Sequence, residues 1–296
     1  MASIVEGISN ELAEIVETAG PAVVRVEGRR RLPASGIVWS EDGIVVTAHH
    51  VVERDDRLAV GYGDDKQVEA ELLGRDPTTD LAVLKVEGVE LSPATTPKSD
   101  DLSVGHLVLA LGRPGRTVQA TLGIVSALGT SWRTAAGGTI DRYLQTDVVM
   151  YPGFSGGPLV DAESKVLGLN TSALRGVSIS IPSRTVDRVV DSILSHGRVQ
   201  RGYLGVGVQP VNLPEALSEE LGQETGLILI SVEPGSPAEA GGLTLGDTLL
   251  SVHGESVKRL DDLLSLLSGD LVGEEVIVRF LRGGDIGEQK ITVGER

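Results

Sequence analysis

Gly153-Phe154-Ser155-Gly156-Gly157-Pro158 is the stretch on which the reading of this chain turns. A serine set among glycines can sit on an exposed turn, where small neighbours let backbone amides approach a carbonyl held over its hydroxyl. Upstream lies Thr47-Ala48-His49-His50-Val51, and between the two lies Asp76-Pro77-Thr78-Thr79-Asp80-Leu81. Histidine, aspartate and serine are the parts of a hydrolytic triad: a proton acceptor, a carboxylate that orients the imidazole, and a nucleophile. The expected members are His50, Asp80 and Ser155. His49 competes with His50, but Val45-Val46-Thr47 runs as a strand into a turn, and the second histidine is the one that precedes Val51-Val52. Asp76 competes with Asp80. Asp76-Pro77 has the form of a turn start, whereas Asp80 enters the apolar run Leu81-Ala82-Val83-Leu84. A metal site at the histidine pair is a poor reading, because no Glu-x-x-His spacing or third ligand lies nearby.

The 296 residues are enough for about two domains, each burying its own core. With 38 glycines and only 3% aromatic residues, that core rests on Val, Leu, Ile and Ala. A glycine-rich and valine-rich chain favours short strands and tight turns. The formal charge of −16 argues against nucleic acid as a partner, since phosphate binding needs clustered Lys and Arg. Arg29-Arg30-Arg31, the single basic cluster, reads as a solvated loop. From Val199 onward there are 16 acidic and 7 basic residues, against 26 and 19 before it, so the acidity is shared along the chain. The chain holds no cysteine, which excludes disulfides and thiolate chemistry and fits a reducing compartment. Met1 to Gly20 has no apolar run of signal or membrane length. As it stands the chain reads as cytoplasmic; it reads as periplasmic or extracytoplasmic if a leading segment has been removed.

Strand-like runs recur in two series. Ala22-Val26, Ser35-Trp39, Ile44-Thr47, Leu58-Gly61, Val68-Gly74 and Leu81-Val86 form the first. Leu107-Leu111, Val118-Ala127, Tyr143-Thr146, Leu159-Val160, Val166-Thr171 and Ser178-Ile181 form the second. His50 and Asp80 belong to the first series and Ser155 to the second, so two barrels with a site between them are expected. A short helix over Ser9–Ala19 precedes them, stopped by Gly20-Pro21. A second helix follows at Thr185–Ser195, with Val186, Val189, Val190, Ile193 and Leu194 on one face. The domain boundary is expected at residue 198. Residues 199–296 then read as a smaller domain: strands at Gly226-Val232, Gly246-Val252, Glu275-Arg282 and Lys290-Val293, with helices after Pro237 and around Leu260–Leu267.

Taken together, these landmarks resemble the HtrA/Deg family of serine proteases. The likeness is carried by Thr47-Ala48-His49-His50-Val51, Asp80-Leu81-Ala82-Val83-Leu84-Lys85-Val86, Leu109-Ala110-Leu111-Gly112, Gly123-Ile124-Val125-Ser126-Ala127, Gln145-Thr146-Asp147 and Ser155-Gly156-Gly157-Pro158-Leu159. It implies a mainly β chain, a chymotrypsin-like double β-barrel over residues 1–198 followed by a small α+β PDZ domain over residues 199–296. It further implies an ATP-independent endoprotease of unfolded or damaged proteins that needs no metal or cofactor and assembles as a trimer or a multiple of one. The N-terminal helix around Leu12–Val16 is a candidate contact for that assembly.

By family position, Gly153, Phe154 and Ser155 line the oxyanion hole. Val149, six residues before the nucleophile, and Met150 lie at the base of the S1 pocket. An apolar floor offers no carboxylate to Lys or Arg, so small or medium aliphatic residues are expected there. Tyr203-Leu204-Gly205-Val206 resembles the carboxylate-binding loop of PDZ domains, beside a strand that pairs with a bound peptide. Two departures stand out: Phe154 replaces the family's usual asparagine before the serine, and Ala48 replaces the one after the threonine. Phe154 raises a rival, an inactive protease-fold scaffold or chaperone that binds peptides without cleaving them. Further loops, around Thr130–Thr139 and Ser172–Val177, flank the expected site.

Overall fold

The chain divides into two units, residues 1–198 and 199–296. The computed structural model describes residues 4–30, 32–63, 66–97, 101–174, 178–267 and 271–295. Arg31 of the basic cluster and the end of the loop at residues 175–177 lie outside the described residues.

The first unit opens with helix α1 (Ile4–Ala19), which starts five residues before the expected Ser9. Ile4, Ile8, Leu12, Ile15 and Ala19 fall at helical spacing, but only Ile15 and Ala19 are buried. Ile4 and Val5 are 85% and 76% exposed. Strands β1 (Val23–Glu27), β2 (Ala34–Val38), β3 (Ile44–Ala48), β4 (Leu58–Tyr62), β5 (Lys66–Asp76) and β6 (Leu81–Val86) follow. They close into a barrel in the order β1-β2-β3-β6-β5-β4. Every residue of β2 and β3 is buried, the polar Ser35 and Thr47 included. Each fully buried side chain the size of Ile37 or Leu84 contributes about 1.5–3 kcal/mol.

The second barrel is built from β7 (Leu107–Gly112), β8 (Gln119–Leu128), β11 (Leu144–Thr146), β12 (Pro158–Val160), β13 (Val166–Asn170) and β14 (Ser180–Pro182), with a separate two-stranded hairpin of β9 (Trp132–Arg133) and β10 (Thr139–Ile140) between β8 and β11. Its sheet order is β11-β8-β7-β12-β13-β14. A bridge between Gln145 and Ile179, with the Thr146 N–H donating to the Ser178 carbonyl at 3.0 Å, closes the ends. Its core holds Val108, Ala110, Val125, Leu144, Val148, Phe154 and Leu159. Helix α2 (Ser183–His196) buries Val186, Val189, Val190 and Ile193 and ends on Gly197, whose N–H caps the Ile193 carbonyl.

The second unit contains β15 (Gly202–Tyr203), β16 (Val206–Asn212), α3 (Glu215–Leu221), β17 (Thr225–Val232), α4 (Pro237–Ala240), β18 (Thr248–Val252), β19 (Glu255–Ser256), α5 (Leu260–Leu266), β20 (Glu275–Arg282), β21 (Asp285–Thr292) and β22 (Gly294–Glu295). The sheet runs β16-β17-β18-β20-β21 and leaves β16 at an edge. Leu204, Leu227, Leu249, Leu263 and Phe280 are among its core residues.

Asp247, immediately before β18, is buried and accepts two bonds of 2.6 Å from the Arg282 guanidinium and one of 2.7 Å from the Thr244 N–H. Burial alone would raise its carboxyl, but the bonds from Arg282 and Thr244 outweigh it and hold the pKa below the ordinary value. A carboxylate with a depressed folded pKa stabilises the fold above its unfolded pKa. That contribution is lost as the pH falls through the folded value. Calorimetry of the full chain is therefore expected to show the second unit's melting temperature falling as the pH drops below about 4. Asp247→Asn should flatten this acid limb; an unchanged acid dependence contradicts the assignment.

Candidate active site

Pairing of β3 with β6 places Ala48 opposite Leu81. The residues just after β3 and just before β6 are thereby neighbours, and these are His50 and Asp80. His50 lies in a one-turn 3-10 helix, His49–Val51. Its backbone N–H donates to Asp80 Oδ1 at 2.9 Å, and its Nδ1 lies 2.9 Å from Oδ2 and 3.1 Å from Oδ1. Asp80 is buried and sits at φ +61°, a left-handed conformation that aspartate tolerates better than most residues. The Thr171 hydroxyl, at the end of β13, donates to Asp80 Oδ2.

The rivals have other places. His49 turns its backbone N–H to the Asp80 carbonyl at 2.9 Å. Burial and the positive field of Arg75 lower its pKa below the ordinary histidine value. Asp76 caps its own turn, accepting from the Thr78 N–H at 3.0 Å, the Thr78 hydroxyl at 2.6 Å and the Thr79 hydroxyl at 2.8 Å.

Ser155 arrives from the second barrel, on the loop between β11 and β12. The Pro152-Gly153 pair forms the middle of a turn closed by the Phe154 N–H on the Tyr151 carbonyl at 3.0 Å, with Gly153 at φ +92°. Gly156 cannot be replaced: at φ +89°, a Cβ there would lie 2.0 Å from the Ser35 carbonyl oxygen and 2.3 Å from Thr47 Oγ1. Ser35, on β2 of the first barrel, clamps the loop. Its hydroxyl donates to the Gly153 carbonyl at 2.6 Å and its N–H to the Ser155 carbonyl at 3.1 Å. The Phe154 carbonyl accepts from Gly157 at 2.9 Å, and the Gly156 N–H donates to the Asn170 carbonyl at 2.8 Å. The N–H groups of Gly153 and Ser155 have no acceptor among the described residues. The Gly153, Phe154 and Ser155 carbonyls are thus tied down, while the Gly153 and Ser155 amides are not.

Phe154 has a different place from the one expected in the oxyanion turn. Its N–H is committed to Tyr151, and its fully buried ring belongs to the second barrel's core. The ring meets Tyr151 edge-on at 5.7 Å, and a Cβ on Gly112 would come within 2.7 Å of it. Val149 is 54% exposed, with its carbonyl accepting from the Thr121 hydroxyl at 3.0 Å. Met150 packs against the core cluster. Sequence reasoning missed Ser35, Thr171 and Ser172. Ser172 Oγ lies 3.1 Å from Ser155 Oγ and 3.4 Å from His50 Nε2.

In the second unit, β15 pairs with β22, and the Tyr203 hydroxyl donates to Glu233. Leu204 is buried and its carbonyl accepts from Ala238 at 2.9 Å, while the Gly205 carbonyl accepts from Glu233 at 2.8 Å. The N–H groups of Leu204 and Gly205 have no acceptor among the described residues. Val206 opens β16, whose one ladder partner among the described residues is β17 and which has α5 beside it.

A family model described as a trypsin-like peptidase domain matches residues 34–169, and one described as a PDZ domain matches residues 202–293. A probable periplasmic serine endoprotease DegP-like from Ectopseudomonas mendocina (strain ymp) is 37% identical, covering 98% of this chain and 63% of the relative. Its namesake from Chlamydia muridarum (strain MoPn / Nigg) is 35% identical, over 91% of this chain and 55% of the relative. The chain thus spans about three-fifths of the length of these curated relatives. Among solved structures, the HtrA-type protease AlgW with a decapeptide superposes at a TM-score of 0.80 with 30% identity, over 96% of this chain and 98% of its own. The serine endoprotease from Yersinia pestis reaches 0.78 with 29% identity, over 96% and 97%.

Proposed function

This chain belongs to the HtrA/Deg family of serine proteases, and from that premise we propose that it is an ATP-independent endoprotease of unfolded or damaged proteins. The observation that carries the reading is the hydrogen-bonded pair of Asp80 and His50 beside a serine whose own N–H, with that of Gly153, lacks an acceptor among the described residues.

Ser155 Oγ attacks the peptide carbonyl while His50 Nε2 takes its proton, and Asp80 stabilises the imidazolium that forms. The Gly153 and Ser155 amides receive the oxyanion, each such donor supplying about 2.7–4 kcal/mol to the transition state. His50 then protonates the leaving amine, and water, activated by the same imidazole, releases the acyl group. Thr171 and Ser35 act at one remove, the first by holding the Asp80 carboxylate and the second by holding the nucleophile loop. The scaffold reading drew on a bulky Phe154 side chain blocking S1 or distorting the oxyanion loop, and the burial of the ring in the second barrel's core argues against the first of these.

Val149 and Met150 supply apolar surface for the residue before the scissile bond. A positional peptide library should show cleavage after Val, Ala or Leu; preferred cleavage after Lys or Arg contradicts this. In the second unit, a peptide would add to the open edge of β16, its terminal carboxylate taken by the Leu204 and Gly205 amides beside Tyr203 and Val206. Two structural neighbours are titled as AlgW with a decapeptide and with a tripeptide, which supports peptide occupancy here. The curated relatives are named periplasmic, and we place this chain outside the cytoplasm on that ground. Assembly as a trimer or a multiple of one would cover Ile4, Val5 and Ile8 of α1.

The proposal as a whole is tested by incubating reduced, unfolded casein and a folded control with the chain in the absence of ATP. Casein should be degraded and the folded control spared. Survival of casein, with and without a C-terminal peptide added, contradicts the proposal.

A further inference from the structure

Ser172 stands between the two residues that must exchange a proton. Its hydroxyl lies 3.1 Å from Ser155 Oγ and 3.4 Å from His50 Nε2, and no hydrogen bond joins Ser155 Oγ to Nε2 directly among the described residues. Because Nδ1 faces the Asp80 carboxylate at 2.9 Å, the ring hydrogen belongs on Nδ1 and Nε2 presents its lone pair. That lone pair accepts one hydroxyl. Ser172 occupies the place that Ser155 must take.

We propose that Ser172 is a positioning residue for the nucleophile: at rest its hydroxyl holds His50 Nε2 and accepts from Ser155, and the direct Ser155–His50 bond forms when it turns aside. The inference rests on the proteolytic reading above and adds a regulated step to it. The spacing separates a competitor from a conductor. A proton relay through Ser172 needs two short bonds; the Ser155–Ser172 O–H···O separation exceeds the usual value of about 2.7–2.8 Å, and the Ser172–His50 O–H···N separation is longer still.

The surroundings fit a movable hydroxyl on a fixed backbone. The neighbouring Thr171 is buried, its hydroxyl donating to Asp80 and accepting from the Ala173 N–H at 3.0 Å. Ser172 itself is exposed, so rotation about its Cα–Cβ bond meets little resistance. Its effect is then on populations: the resting state in which Ser155 is bonded to His50 is depleted by about fivefold, the weight of one net hydrogen bond.

The test is the rate of covalent labelling by a small fluorophosphonate, followed by mass spectrometry on the full chain and on its Ser172→Ala, Ser172→Thr and Ser155→Ala variants. Ser172→Ala should label about fivefold faster than the parent. Ser172→Thr, which restores a hydroxyl, should return to the parent rate. On a peptide substrate, Ser172→Ala should raise kcat and leave KM unchanged, because the hydroxyl acts on the nucleophile rather than on binding. Its exposure makes the alanine variant safe for folding, which an unchanged melting temperature verifies. Slower labelling of Ser172→Ala would make Ser172 a relay, and an equal rate would make it a bystander; either overturns the inference while leaving the protease reading intact. Absence of Ser155-dependent labelling in every variant overturns the protease reading and this inference with it.

Discussion

Asp80→Asn is expected to lower kcat by about 10,000-fold while the chain stays folded. The carboxylate accepts from three donors: the His50 N–H, the imidazole Nδ1–H and the Thr171 hydroxyl. A carboxamide keeps one acceptor oxygen and presents an NH2 where the other stood. That NH2 cannot accept from Nδ1, so the ring hydrogen moves to Nε2. The nitrogen that must take the Ser155 proton then already carries one. Asparagine tolerates the left-handed backbone at φ +61°, so the loss is not one of folding. Turnover of an unfolded substrate and a thermal melt, measured together, check this. A loss under tenfold, or a melting temperature that falls in step with activity, contradicts the role given to Asp80.

Phe154→Ala should instead act on the fold, costing about 3–5 kcal/mol. The ring is fully buried in the second barrel, edge-on to Tyr151 and pressed against Gly112. Its removal leaves a cavity beside the turn that carries Ser155. In a unit of this size, each kcal/mol lowers the melting temperature by about 2–4 °C. Phe154→Leu, which keeps most of the volume, should lose much less. A Phe154→Ala chain that melts normally but cleaves at new sites would place the ring in the substrate pocket, contrary to its burial.

The contrast between these two residues marks how far the sequence could be read. His50 and Asp80 were legible because each sits at the end of a strand, and β3 pairs with β6 to bring those ends together. Ser155 was legible from the glycines that its turn requires. Phe154 misled because its neighbours in sequence belong to the site, while its ring belongs to the core on the other side of the backbone. Ser35 and Thr171 left no local trace. They act across 118 and 91 residues of chain, and only barrel closure brings their hydroxyls to the Gly153 carbonyl and to Asp80. Among elements, Leu81–Val86 and Glu275–Arg282 were read to the residue, since continuous or alternating apolar runs fix them. Helix α3 was missed although Pro214 precedes it and Gly222 caps it in the left-handed conformation. None of its residues is fully buried, so it lacks the apolar stripe by which a helix announces itself. The two-residue strands β9 and β10 are too short for any alternation to register.

The central claim is that Ser155 is a nucleophile activated by His50 and served by the Gly153 and Ser155 amides. Digestion and mass mapping after fluorophosphonate treatment tests it most directly. One adduct per chain is predicted, located on the Ser155 hydroxyl and absent in both Ser155→Ala and His50→Ala. No adduct at Ser155, or one that persists without His50, would contradict it.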